Sequence, residues 1–138
     1  MKADPHAPPV NPAPRPRPPR VTGVKHLFAA TSYSIAGLRR LWHETAFRHE
    51  ALGLPVVFLL FWAISAPLWG FLGFALLWCV LIAVEALNTA IEALVDHVSP
   101  HWSEAARDAK DLGSLSVMAL LIANALFVAV VLSQSLIG

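Results

Sequence analysis

Three carboxylates and one carboxamide recur along a single, otherwise apolar stretch: Glu85, Asn88, Glu92 and Asp96, at positions i, i+3, i+7 and i+11. At about 100° per residue they fall within roughly 80° of one another on a helix, so they form one polar stripe. Ala, Leu and Ile dominate between them, and an acid at that depth in lipid is costly enough to point to function. The bland alternative is a polar seam between the helices of an oligomer. Carboxylates at a membrane boundary suit a hard cation such as Mg²⁺, which takes one or two protein carboxylates and completes its shell with phosphate oxygens and water. A phosphorylated ligand is therefore implied. Glu85 is the deepest acid and, among apolar neighbours, the one suited to accept a proton. Lys110 and Asp111, followed by Gly113, add a cation able to meet phosphate charge near the start of a further helix. The seven glycines are too scattered to form a GxxxxGK[ST] loop, so a nucleotide would be held by metal and carboxylates. A zinc site is disfavoured: Pro100 stands between His97 and His101, and His43 and His49 do not share a helical turn.

The elements that must position these residues are membrane helices. The chain has 138 residues, 57% hydrophobic and only 14% charged, about half the charged share of a soluble domain. All 19 Asp, Glu, Lys and Arg residues lie in 2–50 or 85–111, leaving uncharged blocks of 34 and 27 residues, long enough to enter lipid. The expected fold is an all-α membrane protein: an amphipathic surface helix over 24–50 and three spans at about 51–68, 71–95 and 112–137. In the surface helix Leu27, Thr31, Ile35, Leu38 and Trp42 recur every three or four residues among Lys25, Arg39, Arg40 and Arg48. Gly37 suggests a break into two segments, and Trp42 and Phe47 suit anchors at headgroup depth. Pro55 is expected in the first turns of the first span and Pro67 near its end, with a short break at Trp69-Gly70. In the third span Ser114, Ser116, Asn124, Ser133 and Gln134 are affordable if they face other helices.

Residues 1–21 form a separate Pro-rich tail, with eight of the eleven prolines in 1–20. It has no apolar block for a signal peptide and is expected to be disordered and partly polyproline II. All ten Lys and Arg residues precede the first span or lie between the second and third. By the positive-inside rule the N-terminus and the 96–111 loop are cytoplasmic and the C-terminus is outside. The net charge of +1 predicts no nucleic-acid partner, and the single Cys79 excludes an intrachain disulfide framework.

With these residues in view, the chain resembles the small bacterial diacylglycerol kinase family of integral membrane lipid kinases, from about Thr22 onward. Glu85-Ala86-Leu87-Asn88-Thr89-Ala90-Ile91-Glu92 looks like the family signature E-x-L-N-[ST]-A-I-E, followed by Asp96 and then Ala109-Lys110-Asp111-Leu112-Gly113-Ser114. Tyr33-Ser34, Gly37-Leu38-Arg39, Trp42 and the segment Glu44-Thr45-Ala46-Phe47-Arg48-His49-Glu50 match further. The resemblance implies a homotrimer in the bacterial inner membrane that transfers the γ-phosphate of MgATP to diacylglycerol, giving phosphatidic acid. It also implies roles: Glu85 the general base, Glu44 and Glu92 the metal carboxylates, and Asn88 and Asp96 their support. Lys110, Asp111 and Tyr33, with Glu44 and Glu92, meet the nucleotide; Arg48, Glu50 and Ser114, with Glu85, border the lipid.

Two readings compete with this one. An undecaprenol kinase shares the second-span signature, but Ala46-Phe47-Arg48-His49-Glu50 looks more like the diacylglycerol branch. A small non-enzymatic ion-coupled transporter could use Glu85 as a proton site, but has no need of Glu44, Lys110 or Asp111. Three features depart from the family pattern: His26 where a relative has Arg, one residue fewer between Trp42 and Glu44, and the Pro-rich tail.

Overall fold

The computed structural model describes residues 24–137; the Pro-rich tail and the side chain of His26 lie outside the described residues. Those residues form four helices and no strand: α1 (Val24–Leu41), α2 (Thr45–Ala63), α3 (Leu68–Val98) and α4 (Glu104–Ile137). α2, α3 and α4 are each long and apolar enough to cross a membrane, which makes this an all-α membrane protein with one additional N-terminal helix. At about 1.5 Å per residue α3 and α4 exceed a ~30 Å hydrocarbon core, so the charged end of each extends past it.

Several boundaries differ from expectation. The N-terminal segment breaks at Trp42–Glu44, while Gly37 stays inside α1. Glu44 adopts extended geometry (φ −78°, ψ 131°), and the turn is closed by His43 N–H to Arg40 O (3.1 Å) and Glu44 N–H to Leu41 O (2.9 Å). Arg48 and Glu50 therefore belong to α2 and not to the surface helix, and Pro55 falls in its third turn, where it leaves the Ala51 carbonyl without its helical donor. Phe47 is no interfacial anchor. It is buried, with the exposed Trp42 ring edge-on at 5.9 Å. α2 ends at Ala63 and α3 starts at Leu68, so Trp69 and Gly70 lie in a helix rather than a loop. The physical reason is Ser65, held left-handed at φ 54°. Ser65 N–H bonds Trp62 O at 3.1 Å and Ala66 N–H bonds Phe61 O at 2.8 Å, a Schellman closure followed by Pro67, which cannot continue the helix. α4 starts earlier than the expected span, capped by Ser103 Oγ, which accepts from Ala106 N–H at 3.2 Å.

α3 and α4 form the principal seam and run antiparallel, pairing Gly70 with Val131, Gly73 with Phe127, and Asn88 with Gly113. A Cβ on Gly70 would stand 3.1 Å from Val131 Cγ1, and one on Gly73 would overlap the Phe127 ring, so these glycines permit the close approach that packs helices in lipid. Phe61, Phe74 and Val131 form the buried core, at the end of the bundle away from the acids. Trp78 Nε1–H donates to the Glu50 carbonyl at 3.0 Å and ties α2 to α3 nearer those acids. Leu59, Trp62, Leu72, Leu76 and Ile122 point outward, as lipid-facing residues do when the surroundings are as apolar as the core.

Candidate active site

The acids converge where α2 begins, beside the polar turns of α3 and the early turns of α4. A cleft of ≈ 290 Å³ there is lined by Glu44, Glu85, Asn88, Thr89, Glu92 and Ser114, and floored by Val117, Met118 and Leu121. Glu44 immediately precedes α2 but makes no side-chain cap to it. Its Oε1 instead meets Arg40 Nη1 at 2.5 Å. Arg40 is exposed and Glu44 half-buried, so solvent screening limits the pair to about 1 kcal/mol of stability. Its consequence is to hold the carboxylate at the cleft.

Along α3 the stripe runs from buried to open. Glu85 and Asn88 are 4% and 9% exposed, Glu92 is half-buried and Asp96 exposed. Asn88 Nδ2 donates to Glu92 Oε1 at 2.9 Å, a bond to a charged acceptor that is stronger than one between neutral groups. Asn88 Oδ1 is enclosed and has no partner. Glu85 lies within electrostatic reach of Glu92 and Glu44, and Glu50 within reach of Glu85. Carboxyl groups are thus clustered where a divalent cation would relieve the repulsion between their charged forms. Among the described residues no three His, Cys, Asp or Glu side chains could enclose a metal ion. A cation held by Glu44 and Glu92 would have room to complete its shell with phosphate oxygens and water, the coordination Mg²⁺ favours.

The remaining predicted residues are distributed around this cleft. Lys110, on α4, places its Nζ 2.5 Å from Oδ1 of Asp96, which stands one helical turn beyond Glu92 on α3. The two share a second cleft of ≈ 320 Å³ with Arg107 and Trp102. Asp111 is exposed, 3.9 Å from Arg107 Nε. Tyr33 lies on the open surface of α1, 70% exposed, outside the cleft. Arg48 is also exposed and donates from Nη2 to Thr45 Oγ1 at 3.2 Å. Glu50 lies in an adjoining, largely apolar groove of ≈ 600 Å³ between α2, α3 and α4. Two polar residues carry no role in the sequence reading yet are buried here: Thr89 in the cleft, and Asn124 in the groove beside Glu50. Thr89 stands four residues after Glu85, about 40° around the helix, so the same spacing argument could have placed it on the polar face. Asn124 was visible as a polar interruption, but its neighbour across the helices was not.

Three helices long and apolar enough to cross a membrane, with an oxygen-rich cleft near one end, place the chain among integral membrane proteins with a polar site at the end of their spans. The sequence profile described as prokaryotic diacylglycerol kinase matches residues 32–132. The chain is similar to a diacylglycerol kinase of Sinorhizobium sp, 44% identical over 110 residues, 80% of each chain. It is also similar to those of Pseudomonas aeruginosa (40% over 99 residues, 67% of this chain and 76% of the relative) and of Escherichia coli K12 (37% over 103 residues, 73% and 84%). The chain belongs to the prokaryotic diacylglycerol kinase family and is an enzyme of the bacterial membrane, which sets aside the transporter reading.

Proposed function

We propose that the protein transfers the γ-phosphoryl group of ATP to the free hydroxyl of diacylglycerol, giving phosphatidic acid and ADP, at the cytoplasmic face of the inner membrane. The observation that carries this reading is the gathering of Glu44, Glu85, Asn88, Glu92 and Ser114 around one cleft at the end of the spans. Phosphoryl transfer asks mainly for alignment and charge neutralisation. Mg²⁺, when bound with the nucleotide, supplies a counter-charge to the phosphate oxygens. Glu44 and Glu92 would hold that ion, with Asn88 orienting Glu92. Lys110 takes the remaining phosphate charge after leaving Asp96, with Asp111 and Tyr33 on the nucleotide side. Glu85 accepts the lipid hydroxyl proton as the oxygen attacks the γ-phosphorus and the bond to ADP breaks. Arg48, Glu50 and Ser114 border the lipid, whose acyl chains stay in the bilayer, so no cavity for the whole substrate is required. The ten Lys and Arg residues, at or before Arg48 or at Arg107 and Lys110, support a cytoplasmic N-terminus and α3–α4 connection and an outside C-terminus. The open sides of the cleft favour an oligomer in which neighbouring chains exclude water from the site, and the family resemblance points to a homotrimer.

The test is purified protein with labelled MgATP and either diacylglycerol or undecaprenol, resolved by thin-layer chromatography. Faster labelling of diacylglycerol is expected; faster labelling of the polyprenol assigns the other substrate.

A further inference from the structure

We propose that Gly113 is a positioning residue for this site: the absence of a side chain there seats the Asn88 carboxamide, and the carboxamide in turn fixes the Glu92 carboxylate. Gly113 is buried on α4 directly across from Asn88. A Cβ at this position would collide with Asn88 Oδ1 and come within 3.1 Å of Asn88 Cγ. That same Oδ1 is enclosed and lacks a hydrogen-bond partner. What meets it in place of a side chain is the Gly113 Cα–H, a weak donor of the kind that recurs where helices pack closely. The opposite end of the amide donates from Nδ2 to Glu92 Oε1 at 2.9 Å. Because the amide is planar, displacing Oδ1 rotates Nδ2 away from Glu92. α3 and α4 thus communicate through one planar group clamped between a backbone hydrogen and a carboxylate.

Helix propensity predicts the opposite sign for Gly113→Ala. Ala is the better helix former, so a glycine serving only as an indifferent helical residue would be improved by Gly113→Ala. The collision requires that the same change be unfavourable, and only while Asn88 is present. The link to metal use rests on the assignment of Glu92 under the proposed function.

A double-mutant cycle separates these cases. Gly113→Ala, Asn88→Ala and the double variant are melted in detergent with chelator and without nucleotide, and the Mg²⁺ dependence of lipid phosphorylation is measured for Gly113→Ala and Glu92→Gln. Gly113→Ala is expected to lower the melting temperature by several degrees in the native background and to leave or raise it beside Asn88→Ala. It should also raise the Mg²⁺ needed for half-maximal rate about ten-fold or more, as loss of an outer partner of a metal ligand does. Folding of the double variant where Gly113→Ala alone fails to fold supports the proposal; failure in both backgrounds overturns it. Equal melting shifts in the two backgrounds overturn it. So does an unmoved Mg²⁺ requirement in Gly113→Ala when Glu92→Gln raises it. Coupling in the metal-free cycle, with the Mg²⁺ requirement unmoved in both variants, supports the seating of Asn88 by Gly113 and contradicts the metal role of Glu92.

Discussion

Glu92 sits at the point where the polar stripe passes from buried to open, and it is the carboxylate that Asn88 holds. Replacing it by Gln keeps the shape and one oxygen but removes the charge that a hard cation seeks. Glu92→Gln should therefore raise the Mg²⁺ required for half-maximal phosphorylation by about ten-fold or more, with little change in melting temperature. A Mg²⁺ titration of the purified variant that overlays the native curve would contradict its role. Much of this site was legible in residue spacing. Glu85, Asn88 and Glu92 share a face by arithmetic alone, and all three line the cleft. What spacing could not convey is which atoms remain without partners, because Asn88 Oδ1 owes its isolation to a glycine 25 positions away on another helix.

At the scale of elements, hydropathy located the three spans while the boundaries depended on local backbone chemistry. Ile64-Ser65-Ala66 reads as continuing apolar helix, yet the Schellman closure places Ser65 at φ 54°. No glycine marks that turn in the sequence, and so hydropathy alone carries the first span on to Leu68. A non-glycine residue there costs about 1–2 kcal/mol, whereas introducing glycine costs about 0.5–1 kcal/mol in backbone entropy. The first effect is the larger, so Ser65→Gly should stabilise the protein by about 0.5–1 kcal/mol, measured by unfolding in mixed micelles. A loss of stability would contradict the strain assigned to this turn. The start of α2 was hidden in the same way. Glu44 precedes it without a side-chain cap, so the usual Ser, Thr, Asp or Asn signal is missing and the surface helix and first span read as continuous.

For the whole molecule, assembly and orientation are the features a single chain leaves to the proposal. The cleft and the ≈ 540 Å³ apolar cavity between α1 and α3 both open outward, so a chain in isolation shields Glu85 but leaves Glu44 and Glu92 partly open to water. Both features can be tested with one variant. With Cys79 replaced by Ala, His101→Cys places a single thiol at the α3–α4 connection. A membrane-impermeant thiol label should reach it in inside-out vesicles and not in right-side-out ones. Amine cross-linking of the same solubilised protein should give a ladder ending at three chains. Labelling from the opposite face contradicts the orientation, and a ladder ending at two contradicts the trimer.

The central assignment is that Glu85, enclosed in the cleft at 4% exposure, takes the proton from the lipid hydroxyl. The direct measurement is the rate of phosphoryl transfer from MgATP to diacylglycerol by purified Glu85→Gln, beside its apparent affinity for MgATP. A general base contributes about 10²–10⁴-fold, so the rate should fall by about that factor while the MgATP affinity and the melting profile stay near native. A variant that phosphorylates diacylglycerol within a few-fold of the native rate would contradict the account.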